Sequence, residues 1–144
     1  MTYLNLMNNV LRRLREEETT SVTSTTYVKM VSDFINDAKT IVEQAADWSA
    51  LRTTISIATV ADDNLYSLTD CGDDVKVMSA LNDTQNCFLG YQTKDWFNDS
   101  IYIADEVSGA PKYYTYNGLD SNGDTQVLLS PKPDGVYNLR FDVI

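Results

Sequence analysis

The spacing of apolar residues changes near residue 50, and this change constrains the fold more than any other feature. Before it, apolar side chains recur every three or four residues, the spacing of one helix face. The members of this repeat are Tyr27, Val31, Phe34, Ala38, Ile41, Ala45 and Trp48. After it, Leu51, Thr53, Ile55 and Ile57 alternate with more polar residues, as in a strand with one buried face. The sequence therefore predicts an α+β fold, with a helical part over 1–50 and an antiparallel β-domain over 51–144.

Two amphipathic helices are expected in the first part. The first runs from about Tyr3 to Glu17, and the second from about Thr26 to Trp48, with its N-terminal cap among residues 23–25. The second helix has a broad apolar face, because further apolar residues flank its main row. These flanking residues are Val28, Ile35 and Val42. Since two helices alone make a thin core, we expect the remaining side of the pair to meet the sheet, a further helix or another subunit.

Short apolar runs separated by turn residues fill the second part, which is typical of a small β-sandwich. Residues 82–86 have the composition of a hairpin tip, and Thr93 is suited to cap a short helical turn. The last three runs, which begin near Pro111, Thr125 and Val136, predict a closing β-meander. In the final run, Leu139, Phe141 and Val143 share one face of the strand.

Size and hydropathy point to one ordinary globular domain. The chain has 144 residues with 43% hydrophobic content, enough to bury a core without disulfides or metal. No run approaches the roughly 20 apolar residues that span a bilayer, and the N-terminus lacks a basic start followed by an apolar block. We expect no membrane partner and folding in a cytoplasm, where Cys71 and Cys87 remain free thiols.

The net charge of −10 is concentrated in the β half. Residues 1–50 carry five Lys and Arg against seven Asp and Glu, net −2, while residues 51–144 carry six against fourteen, net −8. An acidic surface repels phosphate backbones, whereas a protein that grips DNA needs cations to release counterions. Sequence-specific nucleic-acid binding is therefore disfavoured, and the acidic loops at least keep the domain in solution.

The residues that carry most enzymatic chemistry are missing. The chain has no histidine, which removes the commonest general base, Ser-His and Cys-His pairs and most zinc sites. The pairs Asp62-Asp63 and Asp73-Asp74 fall in predicted turns, where Asp is favoured for its backbone hydrogen bonds. Residues 120–124 begin like a calcium loop, but Thr125 and Pro131 replace the glycine and glutamate that such a loop needs, so a hairpin turn is favoured. We expect a protein that is not an enzyme, with no catalytic, cofactor-binding or metal-binding residues.

Several segments together resemble the head-to-tail adaptor proteins of tailed bacteriophages, the connector family that includes tail tubular protein A-like members. They come from both halves of the chain and from the junction between them. They are Leu11-Arg12-Arg13-Leu14-Arg15-Glu16, Phe34-Ile35-Asn36-Asp37-Ala38-Lys39, Trp48-Ser49-Ala50-Leu51-Arg52-Thr53-Thr54, Gly109-Ala110-Pro111-Lys112-Tyr113-Tyr114 and the segment from Pro133 to Phe141. Related adaptors commonly continue past the last strand into further helices, whereas this sequence ends at Ile144.

The resemblance implies a structural virion protein. Such adaptors are helical bundles bearing a β-domain, and they form a homo-oligomeric ring, usually of twelve copies, beneath the portal protein. The ring extends the channel through which double-stranded DNA passes non-specifically, and it docks the tail or nozzle protein. The implied location is the neck of the virion, after assembly in the host cytoplasm. No cofactor is implied.

The candidate contacts with portal or neighbouring subunits are the apolar face of the second helix and a basic cluster in the last turns of the first. They are Arg12, Arg13, Arg15, Tyr27, Val31, Phe34, Ile35, Ile41, Val42 and Trp48. The three arginines have an alternative role, since cations near a helix C-terminus complement its dipole. An alternative function is a tail- or fibre-associated β-module that binds a host-surface glycan, which an exposed face bearing Trp96, Tyr102 and Tyr114 would favour.

Overall fold

The computed structural model describes residues 1–103 and 107–144, with side chains omitted for 101–103. The chain divides into two compact units, Met1–Trp48 and Ser49–Ile144. The first is helical and the second is built mainly of strands. The predicted α+β class is therefore confirmed.

Two helices form the first unit, α1 over Tyr3–Arg13 and α2 over Thr26–Gln44. Each begins at a threonine whose hydroxyl accepts a backbone N–H, Thr2 for α1 and Thr25 for α2. The cap of α2 thus lies where the sequence predicted it.

Both helices end about four residues earlier than predicted. In α1, Arg15 has a φ of +60°, and the N–H groups of Arg15 and Glu16 donate to the carbonyls of Arg12 and Leu11. This left-handed residue with paired 5→2 and 6→1 bonds is a Schellman ending. Carboxylates are unfavourable at the negative end of a helix dipole, and Glu16 to Glu18 follow directly. In α2, Asp47 falls in the corresponding stretch after the helix.

The segment between the helices is held to α1 by side chains. The Asn8 amide donates to the Thr19 carbonyl and accepts the Thr19 N–H, both at 3.0 Å. Arg12 pairs with Glu18, with 2.6 Å between Nη2 and Oε1. These bonds replace the helical hydrogen bonds that the Thr/Ser-rich segment does not make.

The two helices share a small apolar core. It consists of Met7 and Leu11 from α1 and Val28 and Val31 from α2, all buried, with Ile35 partly buried beside them. At one end, the Tyr3 hydroxyl lies 2.8 Å from the Ser32 hydroxyl and 3.2 Å from Asn36 Oδ1, which fixes α1 to one side of α2.

The second unit opens with a 3₁₀ turn over Ser49–Leu51 and then forms strands. Those in the described part are β1 Thr53–Ala58, β2 Leu65–Ser67, β3 Val77–Asn82, β4 Cys87–Phe88, β5 Gly90–Tyr91, β6 Tyr113–Leu119, β7 Thr125–Ser130 and β8 Asn138–Val143. A short helix, α3 over Lys94–Phe97, follows β5 with Thr93 as its cap, as predicted, and continues into a π-helical turn over Asn98–Ile103.

The strands form two four-stranded sheets, ordered β1-β8-β3-β4 and β2-β7-β6-β5. Their pairings are antiparallel except that β5 runs parallel to β6. The prediction of a closing meander is wrong for its last strand. Instead of pairing with β7, β8 lies between β1 and β3 in the other sheet. The segment between β7 and β8 contains Pro131 and Pro133, which cannot donate ladder hydrogen bonds and so disfavour a tight hairpin.

One apolar core fills the space between the sheets. The face of β8 predicted from alternation is confirmed, because Leu139, Phe141 and Val143 are all buried there. The Phe141 ring packs against the ring of Tyr114, which belongs to the other sheet. The two rings are in an edge-to-face arrangement with centroids 5.7 Å apart. The two sheets therefore form a sandwich with side chains from both layers in contact.

The chain crosses from one sheet to the other on one side of this sandwich. The Leu89 N–H donates to Ala80 in β3, and the next amide, that of Gly90, donates to the Lys112 carbonyl just before β6. Beyond this crossing, α3 covers the outer face of the second sheet. Its Phe97 is fully buried, and its Trp96 ring lies 5.0 Å from that of Tyr113.

Candidate subunit interface

An exposed apolar row runs along α2. Phe34 is 62% exposed and Ile41 is 68% exposed, which is unusual for large apolar side chains on a regular helix. Tyr27 and Met30 continue the row towards the start of the helix, and both are also exposed. We call Tyr27, Met30, Phe34 and Ile41 the α2 row. Contiguous exposed apolar surface of this kind marks contact sites with other molecules.

The row is exposed because the apolar face of α2 is wider than one helix can cover. The side chains of Val28, Val31 and Ile35 face α1 and pack with those of Met7 and Leu11. Val31 and Ile35 were predicted as interface residues, and the structure places them in the packing between α1 and α2. The rest of the face, on the side of Phe34, has no such partner in the helical unit.

Two further predicted residues, Val42 and Trp48, lie at the end of α2. The Trp48 indole N–H donates to the Val42 carbonyl at 2.7 Å, and the same carbonyl accepts the Ala45 N–H. Both side chains remain about half exposed. Trp48 therefore closes the helix and also adds to the exposed apolar surface.

The three predicted arginines occupy different environments. Arg12 is paired with Glu18, so the structure assigns it a role in holding the linker. Arg13 is exposed in the last turn of α1, where its charge complements the helix dipole. Arg15 is exposed, and it is itself the residue in left-handed conformation that ends the helix.

A second apolar surface lies on α1, and its residues were not among the predicted contacts. Leu6 and Leu14 are exposed, and Val10 between them is partly buried. We call Leu6, Val10 and Leu14 the α1 row. The signal was present as a second four-residue spacing beside the buried residues Met7 and Leu11, but periodicity alone does not say which of two neighbouring rows is buried.

Carboxylates in the β-unit act as structural acceptors. Asp120 Oδ1 accepts the N–H groups of Asn122 and Asp124, and Asp124 Oδ1 accepts the Gly72 N–H. A hydrogen bond from Ser67, followed by that from the Asp124 backbone, lowers the pKa of Asp120. The predicted hairpin turn over residues 120–124 is thus confirmed. In the described residues, no group of three or more potential metal ligands comes together.

A further carboxylate of the β-unit is also a structural acceptor, and the two thiols of this unit are unpaired. Asp142 on β8 accepts hydrogen bonds from the hydroxyls of Thr54 at 2.7 Å and Ser79 at 2.9 Å, so it links three neighbouring strands. These bonds lower the pKa of Asp142. Cys71 and Cys87 are separate thiols, and burial raises the pKa of Cys71.

The aromatic residues that would favour glycan binding do not form one exposed face. Tyr114 is buried in the sandwich core, and Trp96 is only partly exposed because its ring packs on Phe97 and Tyr113. Tyr102 lies outside the described side chains. The condition on which the alternative function depended is therefore not met by Tyr114.

Comparison with known proteins adds one finding. The family model described as SU10 adaptor protein matches residues 1–144. No curated protein and no solved structure matches the chain at a significant level. Among the described residues, no helix is both long and apolar enough to cross a bilayer. The predicted resemblance to a phage adaptor is confirmed at the level of the family, whose members are structural proteins and not a known class of enzyme. This chain belongs to the SU10 adaptor protein family.

Proposed function

We propose that this protein is a head-to-tail adaptor of the virion neck. Copies form a closed ring of twelve beneath the portal protein, extend the DNA channel and dock the tail or nozzle. Membership of the adaptor family supports the general role. The ring, its partners and its place in the particle are our inference.

The exposed α2 row is the observation that carries the proposal. The helical unit buries few apolar side chains, while Phe34 and Ile41 remain mostly in contact with water. Covering such residues contributes roughly 1.5–3 kcal/mol for each one fully buried. Contact with neighbouring copies supplies that burial and gives a helical unit of two short helices the packing it lacks.

The charge of the β-unit agrees with a channel through which DNA passes without adhering. Residues 49–144 carry six Lys and Arg against fourteen Asp and Glu, the same net −8 as residues 51–144. A surface of this sign offers few cations for phosphates and so releases few counterions. We expect assembled rings to retain no duplex DNA near physiological salt in a filter-binding assay. Tight retention by the wild-type ring would overturn this part of the proposal.

The ring is tested by adding the purified chain to portal rings of the same phage and imaging the mixture by electron microscopy. We expect an added layer of density with twelvefold symmetry on one end of the portal. A Phe34→Asp variant should weaken or abolish that layer, because it places a charge in the buried contact. Lys29→Asp is a matched control, since Lys29 is an exposed α2 residue away from the α2 row.

Two results would contradict the proposal. One is a wild-type chain that adds no density to portal rings at any concentration tested. The other is a Phe34→Asp variant that docks and closes as well as the wild type. Circular dichroism of each variant separates a lost contact from a lost fold.

A further inference from the structure

We infer that each contact in the ring is heterologous, with the α2 row of one copy packed against the α1 row of the next. This inference rests on the proposed ring and names the two surfaces that would build it. The occupant of the exposed α2 face is thus a second copy of this chain.

The two rows lie on opposite sides of the helical unit. The Tyr3 hydroxyl reaches Ser32 and Asn36, so Tyr3 marks the side of the pair from which those α2 residues project. Ser32 and Asn36 are each two positions from Phe34, and two positions on a helix correspond to about 200° of rotation. Phe34 and the α2 row therefore project from the other side.

The α1 row lies on the side of Tyr3. Val10 is seven positions from Tyr3, which returns it to within about 20° of the same direction, and Leu6 is within about 60°. The opposite side of α1 carries Asn8 and Arg12, which hold the linker through Thr19 and Glu18. Each face of the two-helix unit thus has one apolar row, contributed by a different helix.

Such an arrangement favours a ring over a pair. When a protein contacts a second copy through the same surface on both, the assembly closes at two subunits. When the two surfaces differ and lie on opposite sides, each copy can receive one neighbour and contact another, and the chain of contacts closes into a ring if the rotation permits.

The charges beside the two rows are complementary. Arg13 is next to the α1 row, whereas Asp33 and Asp37 are four positions apart beside the α2 row. In the helical unit, Arg12 forms an ion pair with Glu18, and Lys39 forms one with Glu43. Arg13 and the two aspartates take part in neither, so these charges can meet across a contact between copies.

Thiol cross-linking of assembled particles tests this arrangement. The starting protein is Cys71→Ser/Cys87→Ser, and the test variant adds Leu6→Cys and Phe34→Cys, two exposed positions on the two rows. After assembly on portal rings, a short bis-maleimide should join successive copies into a ladder that extends beyond dimers. The single variants Leu6→Cys and Phe34→Cys serve as controls and should give no product larger than a monomer.

The outcomes separate this inference from the proposed function. Dimers from Phe34→Cys alone would show a symmetric α2–α2 contact and overturn the heterologous one. A ring visible by microscopy with no ladder in the double variant would also overturn it, while leaving the ring intact. Failure of the wild-type chain to assemble at all would contradict the proposed function itself.

A charge exchange provides a second measurement. Arg13→Asp should lower the fraction of assembled copies, because it faces Asp33 and Asp37 of the neighbour, and Asp37→Arg in the same chain should restore part of it. The control Lys39→Asp changes the same charge on the other side of α2. Equal losses in the single and double variants would overturn the proposed orientation.

Discussion

The two units of this protein differ in how far each can bury its own apolar residues. In the described part of the β-unit, nine buried residues form one cluster between two sheets, with Phe141 and Val127 completely covered. In the helical unit the corresponding cluster has four, while an apolar row of similar chemistry remains exposed on α2. The β-unit therefore contains the packing that a stable fold needs, whereas the helical unit leaves an apolar row in contact with solvent.

This difference explains how stability and assembly can be divided along one chain. A sandwich whose strands pair within two sheets gains little from a neighbour for its folding. A helical pair with a half-covered face gains directly from one, because burying apolar surface is the main favourable term in association. Substitutions in the two units should accordingly have different consequences, and the following predictions test that contrast.

The largest effect is expected in the core of the sandwich. Phe141→Ala should lower the free energy of unfolding by about 3–5 kcal/mol, because it removes a buried ring between the sheets and leaves a cavity. Urea unfolding followed by near-UV circular dichroism measures this. The control Phe141→Leu retains most of the volume and should cost much less. Equal, small losses in both variants would show that the sandwich does not depend on this core.

A pH effect should also be confined to the β-unit. Burial, with smaller contributions from Tyr116 and Tyr91, raises the pKa of Tyr114 to about 12. In the unfolded chain the Tyr114 hydroxyl ionises near pH 10, at a lower pH than in the folded protein. Rising pH therefore favours the unfolded state. The contribution of Tyr114 is complete below about pH 10 and is lost as pH rises through 12, with a slope of up to about 1.4 kcal/mol per pH unit.

Urea unfolding at a series of alkaline pH values measures this slope. Tyr114→Phe keeps the aromatic ring and should reduce the decline. Part of the decline should remain, because the pKa values of Tyr66 and Tyr137 are raised as well. An unchanged slope in the variant would show that groups other than Tyr114 cause the loss of stability at alkaline pH.

A moderate effect is expected in the helical unit from loss of the linker clamp. Asn8→Ala removes two hydrogen bonds to the Thr19 backbone and should cost about 1–2 kcal/mol. Asn8→Asp is a comparison variant, since it keeps the acceptor for the Thr19 N–H, loses the donor and adds a negative charge beside the Thr19 carbonyl. Thermal unfolding monitored by far-UV circular dichroism measures both. If Asn8→Ala unfolds at the wild-type temperature, the linker is held by other contacts.

The smallest effect is a stabilisation. Arg15 adopts a left-handed conformation that favours glycine, so Arg15→Gly should raise the stability of the helical unit by about 0.5–1 kcal/mol. Arg13→Gly is the contrasting change, because it places glycine inside α1 and should be destabilising. The same thermal measurement applies, and a destabilised Arg15→Gly variant would contradict the assigned role of this residue.

Local signals in the sequence predicted local structure well. Thr25 and Thr93 cap helices as expected, because a hydroxyl that accepts a free N–H acts within one turn of the chain. The buried face of β8 follows from strict alternation, which is a property of the strand alone. The end of α1 was missed because it depends on Arg15 in an unusual conformation.

Features that depend on distant partners could not be predicted in the same way. The placement of β8 between β1 and β3 is set by pairing across more than fifty residues, which no local pattern encodes. The α2 face shows the same limit in the candidate interface. Its spacing identified the apolar residues correctly, but only the position of α1 decides that Val31 is covered and Phe34 is not.

The crossing of the chain between the two sheets, at Leu89 and Gly90, has a consequence for unwanted polymerisation. Growth of a fibre by strand addition requires two free edges on each sheet. Near the crossing, the edges are β4 and β5, each of two residues, and they offer too few backbone groups to template another chain. The six-residue β1 can accept an added strand, whereas the opposite border of its sheet is the two-residue β4, which pairs with Leu81 and Asn82 of β3. The short β4 and β5 therefore make the two borders near the crossing poor templates for an added strand.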